Sequence, residues 1–207
     1  MVDVKSRNAA LRIAVALFGL PLLCACAVMP EPQITSLLDV PPDKTVIVGR
    51  IELHPSLRED EQVLRTARGE ELKNAFILYC GDRPRDLKTN KPGSYDGSFA
   101  TVLEKDYFIQ VDKGIILYVP GGTFYSIYDP PYRVVSHTFS SPFQIELRPD
   151  DEAVYIGTIQ YYRDDSNNLT SVTIRDDYQW ADSQFKERFG TNKNLRKALL
   201  TPSACCK

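Results

Sequence analysis

The stretch Tyr107-Phe-Ile-Gln-Val-Asp-Lys-Gly-Ile-Ile-Leu-Tyr-Val119 decides the fold. Its two apolar runs, residues 107–111 and 115–119, are separated only by Asp112, Lys113 and Gly114. Short apolar runs bounded by turn residues are typical of β-strands, and three residues leave no room for a connecting helix. The stretch therefore predicts two consecutive strands joined by a tight turn.

The same pattern continues on both sides of this stretch. Residues 45–53 alternate in polarity, which places Ile47, Gly49, Ile51 and Leu53 on one face. Similar short runs occur at 75–80, 99–103, 124–128, 143–147, 154–162 and 170–174. Because no helical segment connects them, we expect a mainly β fold, an antiparallel β-sandwich of about eight or nine short strands.

A helical period appears only near the carboxyl end. Tyr178, Ala181, Phe185 and Phe189 share one helical face, Asp176 or Asp177 is placed to cap the start, and Gly190 is placed to end it. We expect this C-terminal helix to cover a sheet face or an open edge. A shorter helix is predicted over 195–200, and residues 58–73 allow a surface helix without requiring one.

The amino end has the features of an export signal. Lys5, Arg7 and Arg12 precede an apolar run over residues 13–23. Eleven residues in a helix cover about 16 Å, roughly half of the ~30 Å hydrocarbon core, so the run is too short to span a bilayer. Leu23-Cys-Ala-Cys26 follows, with an aliphatic residue three positions before Cys26 and a small one directly before it.

These residues resemble the signal peptide and lipobox of bacterial lipoproteins. The resemblance implies cleavage after Ala25, a diacylglyceryl thioether on Cys26, and acylation of the new amino terminus. Cys24 fits less well because bulky Leu23 precedes it, and Ala27 after the lipidated cysteine favours the outer membrane of a two-membrane cell. The alternative is an ordinary secretory leader cut after Ala25 or Ala27.

The predicted organisation is a signal peptide (1–25), a tether (26–44), one β-sandwich domain with its helical segment (45–200) and a tail (201–207). Pro30, Pro32, Pro41 and Pro42 favour an extended spacer off the membrane. The leader carries three basic residues and one acid, so the chain's net charge of −2 becomes about −4 without it. A mildly acidic domain has no electrostatic footprint for nucleic acid.

Residues Tyr118-Val-Pro-Gly-Gly-Thr-Phe-Tyr-Ser-Ile127 resemble the Pro-Gly-x-Tyr motif of transthyretin-like and carboxypeptidase-regulatory-like β-sandwiches. Ala153-Val-Tyr-Ile-Gly-Thr-Ile159 is similar to a strand that closes small bacterial lipoprotein sandwiches. The resemblance implies a non-catalytic module. Gly121 and Gly122 predict a tight turn at this point, followed by aromatic residues that pack across the sheet.

Motifs for catalysis, cofactors or metals are absent from the sequence. It contains only two histidines, His54 and His137, and no HExxH, GxSxG or GxxxxGK[ST] motif. The oxygen-rich loop 164–168 suits calcium, but Leu169 and Arg175 stand where an EF-hand needs glycine and glutamate. We therefore expect no cofactor and no metal, two ordinary histidines, and a solvated hairpin tip at 164–168.

Three cysteines remain besides Cys26 and Cys24. Cys80 could form a disulfide with Cys205 or Cys206 in an oxidising envelope; the alternative is a buried Cys80 thiol beside a disordered tail. The odd count leaves one thiol over.

The sequence thus predicts a lipid-anchored cell-envelope protein that acts as a non-catalytic interaction or assembly module. Its partners would be the membrane, through Cys26, and another envelope protein. Numerous tyrosines and Trp180 supply candidates for a contact surface, among them Tyr125, Tyr128, Tyr132, Tyr161 and Tyr162. The alternatives are an envelope hydrolase acting on peptidoglycan or polysaccharide, which needs a cleft with a histidine beside a carboxylate, and a small-ligand binder, which needs a deep apolar pocket.

Overall fold

Two β-sheets and one α-helix make up the described part of the chain. The structure is a computed structural model that describes residues 30–31, 34–58, 61–62, 75–81, 97–128 and 133–203. In chain order its elements are β1 (Pro30–Glu31), a 3-10 helix (Leu37–Asp39), β2 (Lys44–His54), β3 (Glu61–Gln62), β4 (Ala75–Cys80), β5 (Gly97–Thr101), β6 (Asp106–Asp112), β7 (Ile116–Tyr128), β8 (Arg133–Glu146), β9 (Ala153–Arg163), β10 (Leu169–Arg175), α1 (Tyr178–Phe189), β11 (Arg196–Lys197) and β12 (Thr201–Pro202).

The two sheets face each other as in a sandwich. The first sheet has the strand order β1-β5-β4-β7-β8-β12, with β3 paired to β7. The second has the order β10-β9-β2-β6, with β11 paired to β9. The turn after Asp112 joins β6 in the second sheet to β7 in the first, so the stretch that predicted two strands forms a corner between the sheets. The predicted mainly β, two-sheet architecture is confirmed.

The core lies between the sheets and is built from alternating residues of both. From β2 it receives Ile47, Ile51 and Leu53, the face that the sequence predicted. Large side chains from β6 and β9, including Tyr107 and Tyr161, are fully buried in the same cluster. Apolar burial of this kind stabilises a fold by about 25 cal/mol per Å² of surface removed from water.

Helix α1 covers part of the outer face of the second sheet. Ala181 and Phe185 of the helix pack against Val46, Val48 and Phe108. The predicted helix is confirmed with its boundaries: Asp177 precedes it, Gly190 follows it, and the Asp176 carboxylate accepts a hydrogen bond from the Tyr178 N–H at 3.1 Å. The outward residues of β2 beyond Val48 lie outside the cluster under the helix.

The prediction of purely antiparallel strands is wrong. Strand β2 pairs with β9 in parallel, with Ile47 opposite Val154 and Leu53 opposite Tyr161. Strands β1 and β5, and β11 and β9, are also parallel. A parallel neighbour needs a long connection, and the chain from β2 to β9 passes through β3, β4, β5, β7 and β8 of the first sheet, and through β6, before it returns. The described sheets, of seven and five strands, also hold more strands than the eight or nine predicted.

The tight turn predicted at Gly121 and Gly122 is also wrong. Both glycines lie inside β7, where they pair with Ser140 and Phe139 of β8 and with Leu78 and Ile77 of β4. The irregularity is a β-bulge between Val119 and Gly121, which both neighbouring strands accommodate. The two apolar runs at 115–119 and 124–128 therefore form one long strand.

The short helix predicted over 195–200 is replaced by β11 and an extended segment. The Ala198 N–H donates to the Tyr155 carbonyl and the Leu200 N–H to the Ile156 carbonyl, both at 3.0 Å. Pairing with β9 thus provides hydrogen-bond partners for backbone N–H groups that a helix would have bonded internally.

The segment predicted as a spacer is packed against the domain in its described part. Ile34 is buried in the cluster beneath α1, and its N–H donates to the Phe108 carbonyl at 2.7 Å. Arg188 donates to the Ile34 carbonyl at 2.8 Å. Ile34 therefore packs against the domain ahead of residue 45.

Candidate functional site

The open half of the second sheet carries an ordered array of polar side chains. Along β2 the outward positions change from Val46 and Val48, which lie under α1, to Arg50, Glu52 and His54. Gln160 of β9 and Arg175 of β10 extend the array across neighbouring strands. We call these five residues, Arg50, Glu52, His54, Gln160 and Arg175, the polar face.

Glu52 is the centre of the polar face. Its Oε2 accepts a hydrogen bond from Gln160 Nε2 at 3.1 Å and lies 3.3 Å from His54 Nε2, while its Oε1 accepts from Arg175 at 2.7 Å. Partial burial acts to raise the pKa of Glu52, but the hydrogen bonds from Gln160 and Arg175 outweigh it, and the pKa lies below its usual value. Glu52 is therefore a carboxylate at neutral pH.

Arg50 borders the polar face next to α1. Its Nε donates to Asp106 at 3.0 Å, and its guanidinium lies 3.7 Å from the centre of the Trp180 ring. Burial raises the pKa of Asp106, and the Arg50 hydrogen bond only partly opposes it. Trp180 is 39% exposed, which is unusual for a side chain of this size.

Trp180 also borders a shallow depression of about 510 Å³. Its other lining residues include Asp176, Tyr178 and Lys197, and Lys197 pairs with Asp176. The exposed Trp180 ring therefore lies between the polar face and this depression, both of which carry polar side chains. An exposed aromatic side chain among polar residues is typical of protein–protein interfaces.

The two histidines lie in different sheets. His54 stacks on Tyr162, with 5.1 Å between ring centres, and is part of the polar face. His137 of β8 stacks on Phe124 at 4.5 Å. Burial lowers the pKa of His137, although the charge of Glu61 acts in the opposite direction. His54 thus stands beside a carboxylate, as the hydrolase alternative requires, but on the open face of a sheet.

A buried ion pair fixes the end of the sandwich next to His54. Arg163 donates to both oxygens of Glu61, at 2.8 and 2.7 Å, and to the carbonyls of Pro55 and Ser56. Asn167 joins them by donating to Glu61 at 2.9 Å. Since Arg163 belongs to the second sheet and Glu61 to the first, the pair connects the two sheets below the polar face.

The loop 164–168 is the predicted hairpin tip. Asp164 Oδ1 accepts hydrogen bonds from the N–H groups of Ser166 and Asn168, at 2.9 and 2.8 Å. The hydrogen bonds from Asn168, followed by that from Ser166, lower the pKa of Asp164. Within the described residues, no group of three or more histidine, cysteine, aspartate or glutamate side chains is arranged to hold a metal ion.

Comparison of the chain with protein-family models, with curated proteins and with solved structures gives no match. In the part of the chain that the structure describes, no helix is both long and apolar enough to cross a membrane. The resemblances to lipoproteins and to transthyretin-like modules therefore stay predictions.

The structure describes only some of the predicted site residues. Cys26, Cys205 and Cys206 lie outside the described residues, and so does Tyr132. Cys80 is half-buried at the end of β4, and its predicted disulfide stays a prediction.

Of the aromatic candidates, Tyr162 and Trp180 border the polar face, whereas Tyr161 is buried in the core. Sequence reasoning missed Arg50, Glu52, Gln160 and Arg175. The available signal was the change from apolar to polar residues at alternate positions of β2.

Proposed function

We propose that this chain is a lipid-anchored cell-envelope protein whose β-sandwich is a non-catalytic interaction module. Cys26 carries the anchor, and the polar face with Trp180 binds a second envelope protein. The anchor rests on the lipobox sequence, and the binding surface rests on the arrangement of side chains in the second sheet.

The observation that carries the proposal is the exposed Trp180 ring held against Arg50 at the border of an ordered polar array. Tryptophan and arginine are the residue types that most often dominate binding energy at protein interfaces. The Glu52 and Arg50 side chains are only 13% and 22% exposed, so their ion pairs order this surface in the free protein. A surface already ordered in the free protein also loses little side-chain entropy on binding.

The test is in-cell photo-crosslinking of the anchored protein. A photoreactive residue at position 173 reports on the polar face, because Thr173 is exposed and its hydroxyl donates to Gln160 at 3.3 Å. The matched control is position 148, since Arg148 is exposed where β8 leads towards β9, at the opposite end of β9 from the array. We expect one dominant protein adduct at position 173 that is absent at 148 and is lost with Cys26→Ala.

Two further variants connect the adduct to Trp180. Trp180→Ala should weaken binding by about 30-fold, the ~2 kcal/mol typical of an interface hot spot, and Trp180→Phe should retain most of the affinity. An adduct that is unaffected by Trp180→Ala, or equal adducts at 173 and 148, would contradict the proposed surface.

One observation favours the alternative of an envelope hydrolase. His54 and Glu52 are within 3.3 Å of each other, and Asp106 and Glu52 have pKa values shifted in opposite directions, a pattern found in acid–base catalysts. Incubating the purified protein with peptidoglycan or polysaccharide and measuring released fragments tests this alternative. If fragments are released and Glu52→Gln abolishes the release, the protein is an enzyme and the proposed non-catalytic interaction module is wrong.

A further inference from the structure

The first described strand begins very close to the proposed anchor. In β1, Pro30 lies opposite Ser98 and Glu31 opposite Phe99 of β5. Pro30 is only four residue steps from Cys26, and at 3.3–3.6 Å per residue these steps reach at most about 14 Å. A lipid on Cys26 would therefore hold the sandwich directly against the bilayer, and not at the end of a long spacer.

The strand register shows which end of the sandwich the amino end of β1 faces. Gly97, at the start of β5, lies opposite Tyr79, and Cys80 lies opposite Tyr118 near the start of β7. The turn after Asp112 joins the end of β6 to that same start of β7, and Lys44 of β2 lies opposite Asp112. We call this end, formed by residues 41–44, 112–116 and 146–152, the anchor end.

Of the three exposed large apolar side chains among the described residues, Ile116 lies at the anchor end and Leu38 lies three residues before it begins at Pro41. Leu38, in the 3-10 helix, is 95% exposed, and Ile116 is 37% exposed. The neighbours of Leu38 in that helix, Leu37 and Val40, line a depression of about 160 Å³ together with Pro41, Lys44, Lys113 and Lys193. Leu38 is therefore exposed next to two residues of a depression that three lysines line.

The lysines at the anchor end are accompanied by acidic residues. Lys44 pairs with Asp112 at 2.7 Å, and Lys193 lies 3.8 Å from Glu152. A surface with both signs of charge around an apolar residue suits a zwitterionic headgroup layer, and it gains little from an anionic one.

We propose that the anchor end rests on the membrane, with Leu38 inserted at the boundary between the headgroups and the acyl chains of a zwitterionic lipid surface. This inference rests on the proposed lipidation of Cys26 and adds the surface through which the anchored domain meets the bilayer. It also directs the polar face away from the membrane, because Arg50, Glu52 and His54 lie on the half of β2 remote from Lys44.

The test uses the mature lipidated protein, which begins at Cys26, in zwitterionic vesicles whose acyl chains carry bromine, a contact quencher of tryptophan. Trp180→Phe removes the native tryptophan, and Leu38→Trp or, as the matched control, Thr173→Trp supplies a single probe. Both positions are exposed, so neither substitution disturbs the core. We expect a blue shift and loss of emission for the probe at 38 and neither for the probe at 173.

Flotation of the same vesicles separates the two proposals. If the protein floats with the vesicles but both probes emit equally, the anchor end does not rest on the membrane, although the lipid anchor on Cys26 is present. If the protein floats no better than Cys26→Ala, the anchor itself is wrong and this inference fails with it. Strong quenching that appears only when anionic lipid is added would also overturn the zwitterionic assignment.

Discussion

At the scale of single residues, Tyr107 packs closely against Gly49 in the second sheet. Tyr107 is fully buried, and its hydroxyl has no hydrogen-bond partner among the described residues. A Cβ at Gly49 would lie 2.4 Å from that hydroxyl oxygen, so β2 needs glycine opposite this ring. Burial raises the pKa of Tyr107, which keeps the phenol neutral.

Because the Tyr107 hydroxyl is unsatisfied, we expect Tyr107→Phe to leave the free energy of unfolding unchanged or higher. Tyr155→Phe is the matched control, since the Tyr155 hydroxyl accepts a hydrogen bond from the Asp177 N–H at 2.8 Å at the start of α1. Loss of this hydrogen bond should lower the free energy of unfolding by about 1 kcal/mol. Urea unfolding of the two variants measures both values, and a larger loss for Tyr107→Phe would show that its hydroxyl is satisfied.

At the scale of elements, the Arg163–Glu61 pair connects β9 to β3. Their side chains are only 1% and 0% exposed. Arg163→Ala should lower the free energy of unfolding by about 3–5 kcal/mol, because it leaves the Glu61 carboxylate buried without its main partner. The double change Arg163→Met with Glu61→Leu should recover much of that loss.

The exposed pair of Lys44 and Asp112 supplies the control for this prediction. Lys44→Ala should cost less than about 1 kcal/mol, as surface ion pairs usually do. Chemical denaturation compares the variants. Similar small losses for Arg163→Ala and Lys44→Ala would indicate that water reaches the pair between the sheets.

Some of the helices and strands could be predicted from the sequence, and others could not. Strands such as β2, β4 and β9, and helix α1, were predictable because their polarity patterns are local. The parallel pairing of β2 with β9, the continuous β7 and the strand β11 depend on contacts between distant segments, so no local pattern encodes them. For the same reason the sequence did not reveal that Trp180 covers Arg50 or that Glu61 meets Arg163.

At the scale of the whole molecule, the proposals assign different tasks to opposite ends of the sandwich. Strand β2 runs from Lys44 at the anchor end to His54 in the polar face, and ten residue steps at ~3.3 Å cover about 33 Å. The buried Arg163–Glu61 pair links the two sheets at the end next to His54, where the proposed partner binds. A short anchor and a rigid domain would thus hold the binding surface at a fixed height above the membrane.

The amino-terminal segment packs against the domain through Ile34, and its removal is the test at this scale. A chain that begins at residue 45 lacks Ile34, whose side chain is buried with Phe108 and Phe185 and whose backbone bonds to Phe108 and Arg188. Relative to a chain that begins at residue 30, we expect it to lose at least the ~1.5–3 kcal/mol of a buried isoleucine. Leu38→Ala in the longer chain is the control and should change nothing, because that side chain is exposed. Equal urea midpoints for the two chains would indicate that residues 30–44 are a spacer. They would also contradict the short connection between Cys26 and the domain, on which the proposed contact of the anchor end with the membrane depends.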